Sequence, residues 1–380
     1  VGSMHPPVGI VEQPTQNGGR AADRRARNVT MQFTAAVCQT ALGTAGPFVE
    51  RHRYSLTMRF IEVNGTRLSV IGLGTWQFGS KEWAYGHDYA KNEAGRILQR
   101  ALDLGINLVD SAEIYGRGES ERIVGRFLEG RRNEAFVASK VLPIMPTARY
   151  VERHGRASAA RLGIDTIDLY QIHWPNPVIP ISQQMQGMHR LQDAGVINSV
   201  GVSNFSLGRW KAAEVALGSP VLSNQVQYSL AARKPDADLV PYAQENDRIV
   251  IAYSPLAMGL LSGRYDADHP PKGSARLNNT LFLPDNLERA RPLITAVREI
   301  AARHDATPAQ VALAWVVHHG NVVAIPGASS VAQLEANAAA ADLELSSDDM
   351  SRLTRASDDF RPISGAPAIS RVIKRRLKRA

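Results

Sequence analysis

Asp110 and Tyr115 stand five residues apart in the stretch VDSAEIYGRGESE (Val109–Glu121), an acid closing an apolar run and a phenol in the turn after it. Two further groups complete a chemically complementary set: Lys140, at the end of FVASK, and His173, at the end of LYQIH. A free phenol has a pKa of about 10 and gives up its proton reluctantly at neutral pH. An ammonium beside it stabilises the phenolate and lowers that pKa, and a carboxylate beside the ammonium keeps it charged and aimed. With Lys140 and Asp110 as such neighbours, Tyr115 can act as a general acid toward an oxyanion forming on a carbonyl. His173 can donate a hydrogen bond to the same oxygen. Taken singly, each residue has an ordinary structural use: the acid caps a loop, the tyrosine packs, the lysine lies half exposed, and the histidine is satisfied in a core. The set has chemical meaning only if one fold brings all four together.

The elements around them supply such a fold. From Val70 onward, short β-rich runs alternate with amphipathic helical ones. Strands are expected over Val70–Leu73, Asn107–Asp110, Ala135–Lys140, Ile167–His173, Ser199–Val202, Ser223–Gln227, Ile249–Ser254 and Val322–Ile325. Helices are expected over stretches such as Asn92–Leu104, Glu119–Leu128, Ser182–Asp193 and Thr307–His319. In the last, Thr307 reads as the N-cap, Pro308 as the first helical residue and Gln310 as the partner in a capping box. Eight β–α units predict an α/β fold of the (β/α)8 TIM-barrel type, whose chemistry gathers where the strands end and the βα loops begin. Asp110, Lys140 and His173 all fall at such ends. A doubly wound sheet would open on G-x-G-x-x-G, and Ile71-Gly-Leu-Gly-Thr-Trp lacks the third glycine. Ahead of the barrel, Phe60 to Val70 reads as a hairpin turning at Asn64-Gly65, a pair suited to the positive φ angles of a type I′ turn, and it closes the barrel bottom.

Composition sets the outer limits. The chain has 380 residues, 44% of them hydrophobic and 21% charged, with a net charge of +8. Residues 1–57 contribute +3 and residues 361–380 contribute +7, which leaves −2 for the span between them. The basicity therefore belongs to the ends, and nucleic-acid binding is not expected. Three segments follow: a flexible N-terminal extension over 1–57, a barrel over 58–360, and a solvated basic tail over 361–380. The longest uncharged run, Val29–Val49, is diluted by Thr, Gln and Gly; it is too polar to span a bilayer, and no convincing cleavage site follows it. The single cysteine, Cys38, fits a reducing compartment, and the expected location is the cytoplasm. No metal-ligand cluster is apparent; His318-His319 sits in a helical pattern with its imidazoles on different faces.

The order LDLGINLVDSAEIYGRGESERIVGRFL, FVASKV, LYQIHWP, GVSNF, IPGASS resembles the aldo-keto reductase family, over about Val70 to Asp358. The resemblance implies a (β/α)8 barrel with a nicotinamide cofactor extended across the strand C-terminal ends. It also implies a catalytic set of Asp110, Tyr115, Lys140 and His173. Further cofactor contacts follow from it: Thr75 and Trp76 after the first strand, Ser203, Asn204 and Gln225 on the carboxamide, and Tyr228 stacked on the ring. Ser254, Pro255, Leu256, Gly259 and Arg264 would fold over the pyrophosphate. Pro326, Gly327, Ser329, Gln333 and Asn337 would take the adenosine end, where a helix N-terminus presents N–H groups to phosphate. Ser330 and Gln333 also have capping-box spacing, a structural use for the same residues. Some relatives carry a Lys and an Arg where Gly327 and Gln333 stand here, and a Glu at Ala336. A 2′-phosphate would then depend on Arg276. NADP(H) is the expected cofactor, with NAD(H) as the second choice.

Trp76, Trp83, Tyr85 and Trp174 lie in or beside the mouth loops, and Trp76 and Trp174 are the expected substrate walls. The reading is a monomeric reductase of small carbonyl compounds, with no membrane partner. Its alternative is a redox-sensing subunit of the same fold with little turnover.

Overall fold

The computed structural model describes residues 58–79, 92–271 and 274–377. The N-terminal extension with Cys38, and Trp83 and Tyr85, lie outside the described residues. Strands β1 (Phe60–Val63) and β2 (Thr66–Ser69) pair antiparallel around Asn64 and Gly65, whose φ angles of 49° and 72° suit the hairpin. Eight parallel strands follow: β3 (Leu73–Gly74), β4 (Leu108–Asp110), β5 (Phe136–Val141), β6 (Ile167–Ile172), β7 (Ile197–Ser203), β8 (Ser223–Gln227), β9 (Ile249–Tyr253) and β10 (Val322–Ala324). Bridges Ile71–Ala324 and Gly74–Gly327 join the first strand to the last, and the result is a (β/α)8 barrel.

The first strand differs most from expectation. It is paired as a regular strand only at Leu73–Gly74, with Ile71 bridging separately. The reason lies in the seam: a Cβ on Gly74 would come within 2.7 Å of the Ile325 carbonyl oxygen, so the barrel closes backbone against backbone. Inside the barrel, Leu108, Ala138, Leu169, Ile249, Ile251, Val323 and Ile325 form one apolar cluster with Val63 and Leu68 of the hairpin. β1 and β2 therefore plug the end opposite the functional loops.

Between the strands run α1 (Ala94–Asp103), α2 (Glu119–Leu128), α3 (Ala148–Leu162), α4 (Ile181–Asp193), α5 (Leu207–Leu217), α6 (Leu239–Glu245), α7 (Ser274–Leu277), α8 (Pro284–Arg303), α9 (Pro308–Val316), α10 (Val331–Ala338), α11 (Ser347–Asp359) and α12 (Gly365–Leu377). The helices that alternate with the strands pack apolar stripes on the sheet; in α1 the buried residues Ala94, Ile97, Leu98, Ala101 and Leu102 recur at helical spacing. Every fully buried Leu or Ile of this kind contributes about 1.5–3 kcal/mol. α9 starts on the expected capping box, with Thr307 and Gln310 bonded in both directions. It stops at Val316, however, so His318 and His319 stand in the turn beyond it rather than within the helix. Among the described residues, no helix is long and apolar enough to cross a membrane.

The solvated tail expected over 361–380 is corrected in part. Residues 365–377 form α12, whose Ala368 and Val372 pack on Leu283. Asn286 of α8 binds the backbone N–H and carbonyl of Ile363, and Arg371 pairs with Asp285. Ala368 and Val372, four residues apart, share one face of the helix, an apolar pair easily overlooked among its basic residues.

Candidate functional site

The site is built at the C-terminal ends of β4, β5 and β6. Asp110 ends β4, in register with Ala138 of β5, and Lys140 two residues on points to the same barrel interior. Lys140 is fully buried, and its Nζ lies 2.6 Å from Asp110 Oδ1 and 2.8 Å from the Ser111 carbonyl. The other carboxylate oxygen of Asp110 accepts from Gln225 Nε2 at 2.7 Å, across the barrel. Both oxygens of a buried acid are thereby satisfied, as such burial demands.

From Asp110 the chain turns through Ser111–Ile114 and brings Tyr115 back over the same lysine, with its hydroxyl 3.5 Å from Nζ. His173, the first residue past β6, meets the Tyr115 ring edge-on at 5.9 Å. The structure thus brings Asp110, Tyr115, Lys140 and His173 together, with Lys140 as the common partner of Asp110 and Tyr115.

Electrostatics amend one expectation. Burial pushes the Tyr115 phenol up; Lys140 pulls it down, Asp110 pushes it up again, and the net shift is upward. The lysine alone would have lowered it, but burial and the second charge prevail. Burial also works against the Lys140 ammonium, yet Asp110 and Tyr115 outweigh it and raise its pKa. Burial and the Lys140 charge push His173 down to about 2, so its imidazole is neutral.

The loop that carries Tyr115 is held from outside the barrel. Glu113 Oε1 accepts from Leu142 N at 2.6 Å, and its other oxygen contacts His154 Nδ1 at 2.6 Å and Arg161 at 3.7 Å. Arg161 also pairs at 2.5 Å with Glu121, which is wholly buried and bonded to Ser139 Oγ at 2.6 Å. A side chain on Gly118, where the Tyr115 loop enters α2 at φ 83°, would meet the Arg161 side chain at 2.6 Å. Burial raises the Glu121 carboxyl, with Ser139 and Arg161 opposing it. Removing Arg161 leaves that carboxylate uncompensated, so Arg161→Ala is expected to cost about 3 kcal/mol at pH 8 by urea unfolding. Because the folded-state pKa of Glu121 then rises further, the deficit shrinks as pH falls toward its protonation. A deficit that stays constant with pH would rule this account out.

Around the mouth, Asn204 connects three strand ends. It adopts a left-handed backbone with φ 61°. Its Nδ2 donates to the His173 carbonyl at 3.2 Å and to Ser203 Oγ at 3.0 Å, and its Oδ1 accepts from Tyr253 Oη at 3.0 Å. Ser203 Oγ donates to the Gln225 carbonyl at 2.8 Å. Ser206, rather than Ser203 or Asn204, caps α5. Trp76 lies 6.4 Å from the Tyr115 ring, and Trp174 stacks on His173 at 3.9 Å. Thr75 is buried, with its hydroxyl on the Asp110 carbonyl and on Ser120, so it braces the site from behind.

Tyr228 is corrected. It is fully buried behind the barrel wall, hydrogen-bonded to Asp236 and packed 5.5 Å from Trp315 of α9, so its ring is not available to stack on a ligand. The aromatic beside the site is Tyr253, which ends β9, is half-buried, and is bonded to Asn204. Burial, with the nearby Tyr115, raises its phenol. Strand parity carries the signal that sequence reading missed: Gln225 faces inward, so Tyr228, three residues on, faces out, while Tyr253 shares the inward face of Ile249 and Ile251.

After β9 the backbone is left-handed at Ser254, Ala257, Met258 and Gly259. Non-glycine residues rarely adopt this conformation, and such strain concentrates at binding sites. Pro255 is buried, Leu256 packs on the core, Arg276 Nε holds the Met258 carbonyl at 2.8 Å, and Arg264 is exposed. After β10, Pro326 O accepts from Gly74 N and Asn337 Nδ2 reaches Gly327 O at 3.4 Å. The N–H groups expected to be open at the start of α10 are engaged: Ser329 N and Oγ both donate to Gln333 Oε1, Val331 N to Glu93, and Gln333 N to the Ser330 hydroxyl. Glu93 arrives from just ahead of α1, a long-range cap with no local sequence signal. Among the described residues, no group of three or more His, Cys, Asp or Glu could hold a metal ion.

The Aldo/keto reductase family model matches residues 70–358. An uncharacterized oxidoreductase of Mycobacterium tuberculosis (strain H37Rv) is 53% identical over 325 residues, covering 85% of this chain and 100% of that protein. The methylglyoxal reductase YeaE of Escherichia coli is 33% identical over 303 residues, covering 79% and 95%. Among solved structures, an aldo/keto reductase from Klebsiella pneumoniae in complex with NADP and acetate superposes with a TM-score of 0.65 at 28% identity, covering 81% of this chain and 98% of that one.

Proposed function

Since the chain belongs to the aldo/keto reductase family, we propose that it is an NADP(H)-dependent reductase of aldehydes and ketones, with Tyr115 as general acid. The observation that carries this reading is the buried Asp110–Lys140 pair set directly beneath the Tyr115 hydroxyl.

The residues present fit a nicotinamide cofactor best at its reactive end. Tyr253 offers a half-buried ring face at the mouth, with Ser203, Asn204 and Gln225 grouped beside it. The loop Ser254–Gly259, left-handed at Ser254, Ala257, Met258 and Gly259, follows β9 beside them, with Arg264 after it. At the adenosine end, Ser329, Gln333, Asn337 and Arg276 remain the candidates, with Glu93 to be displaced from Val331 N. When bound, the reduced nicotinamide supplies hydride to the carbonyl carbon. Tyr115 gives its proton to the carbonyl oxygen, so hydride and proton together make the alcohol. Lys140 stays charged against Asp110 and stabilises the phenolate that remains. Neutral His173 donates a hydrogen bond to the oxygen as charge develops on it. The NADP bound by the Klebsiella relative and the activity named for the E. coli relative support this cofactor and substrate class. The reading takes the protein to be a cytoplasmic monomer.

Steady NADPH consumption with a generic aldehyde, monitored at 340 nm as a function of pH, tests the mechanism. Tyr115 acts in its protonated form, which is fully populated below its pKa, and that pKa is raised from the ordinary value of 10.0. His173 is already neutral, with a pKa of about 2. Lys140, Asp110, His173 and Tyr253 face the phenol, and Lys140 keeps its charge beside Asp110 because Asp110 and Tyr115 raise its pKa against burial. The expected profile of kcat/KM for reduction is therefore flat from about pH 6 to 9, falling only above about pH 10. An acidic limb centred near neutrality would refute this assignment. Binding of NADPH without steady consumption would favour the redox-sensing alternative.

A further inference from the structure

We infer that this site is built for carbonyl compounds with an extended apolar chain, which lies along a rigid wall formed by the loops after β5 and β6. The inference rests on the reductase reading above and names its substrate class.

Of the eight large hydrophobic side chains exposed among the described residues, six (Trp76, Ile114, Ile144, Met145, Trp174 and Val178) lie on the loops that follow β3 to β6, and the other two, Val215 and Ile369, lie on α5 and α12. Ile144, Met145 and Val178 are 67%, 59% and 80% exposed, values a soluble surface seldom groups together without a use. The two loops that carry these three, Leu142–Thr147 and Trp174–Pro180, contain no charged residue and five prolines. Proline fixes φ and lowers the entropy lost when a ligand binds. The loops are also fastened to each other. Asn176 Nδ2 donates to the Pro143 carbonyl at 2.9 Å, and its Oδ1 accepts from Val178 N and Ile179 N, each at 2.8 Å.

The wall is continuous with the reacting groups: Trp174 stacks on His173, and Trp76 stands beside Tyr115. Its outer boundary is Arg209, exposed on α5 and bonded to the Asn176 carbonyl. The loops after β7, β9 and β10 instead carry Asn204, the partly left-handed Ser254–Gly259 segment and the Ser329–Gln333 pair. One half of the mouth is polar and shaped by backbone, and the other is apolar. A carbonyl held at Tyr115 therefore extends its remaining chain over Trp174 toward Ile144, Met145 and Val178.

The test is kcat/KM for the n-alkanals from butanal to decanal with NADPH and the full chain, together with quenching of tryptophan fluorescence by the matching n-alkanols. Each added methylene is expected to raise kcat/KM on the order of threefold until the wall is spanned. Met145→Ser and Val178→Ser should each lower the octanal-to-butanal ratio on the order of tenfold, whereas Val215→Ser, an exposed valine elsewhere on α5, should leave that ratio alone. A native protein with no chain-length dependence overturns the inference, as do variants that retain it. Chain-length-dependent quenching without alkanal turnover would uphold the apolar wall and sink the reductase reading alone.

Discussion

Tyr115→Phe is expected to lower kcat by about 10³–10⁴-fold while leaving the affinity for NADPH and the unfolding midpoint close to native. The change removes one atom. The ring keeps its neighbours, with Trp76 at 6.4 Å, His173 edge-on at 5.9 Å and Lys140 Nζ 5.1 Å from its centroid. The hydroxyl makes only a long 3.5 Å contact with Lys140, and the strong bonds of that lysine go to Asp110 and Ser111. Stability therefore depends little on the phenolic oxygen. None of Ser203, Asn204 and Gln225 is hydrogen-bonded to Tyr115 either, so the candidate nicotinamide contacts survive. The proton donor itself is lost, and no neighbour can take over: neutral His173 can donate a hydrogen bond but not give up its proton, and Lys140 lies beneath, held by its carboxylate. Turnover by the phenylalanine variant within tenfold of native would exclude Tyr115 as the acid. Loss of NADPH affinity alongside turnover, measured by fluorescence titration, would place its role in binding.

The second large effect concerns the pair beneath it. Lys140→Met preserves most of the side-chain volume but leaves the Asp110 carboxylate buried with only Gln225 as a side-chain partner. Removing one member of a buried ion pair typically costs about 3–5 kcal/mol, since the remaining charge is neither hydrated nor compensated. The variant should therefore unfold at markedly lower urea concentration and show no measurable turnover. The double change Lys140→Met with Asp110→Leu separates the two consequences. It removes the stranded charge, so most of the stability should return, while activity should not. Recovery of activity in the double variant would mean that neither charge assists Tyr115. A native urea midpoint for Lys140→Met would show that the pair contributes nothing to the fold.

The sequence disclosed most where a residue type conflicted with its surroundings. A lysine ending the apolar run FVASK had to find a carboxylate, and Asp110 closed the adjacent strand. Thr307-Pro308 with Gln310 announced the start of α9 because capping is local chemistry. Errors arose where a residue's meaning depends on which way it faces. Tyr228 and Tyr253 both sit at strand ends, and only the parity of β8 and β9 distinguishes the packed ring from the one at the mouth. Residues that act from far along the chain were equally hard to find. Glu93 covers the start of α10 from beside α1, and Arg161 braces Gly118 from α3, neither with any spacing rule to reveal it. The net direction of the Tyr115 shift needed burial and geometry together, because Lys140 and Asp110 act on it with opposite sign.

The hairpin has a bearing on traffic as well as on packing. With Val63 and Leu68 sealed into the apolar cluster below Lys140, the barrel is a vessel with a floor. Carbonyl entry, alcohol exit and the return of a proton to Tyr115 must then share a single doorway, so the acid is recharged from the side by which product departs.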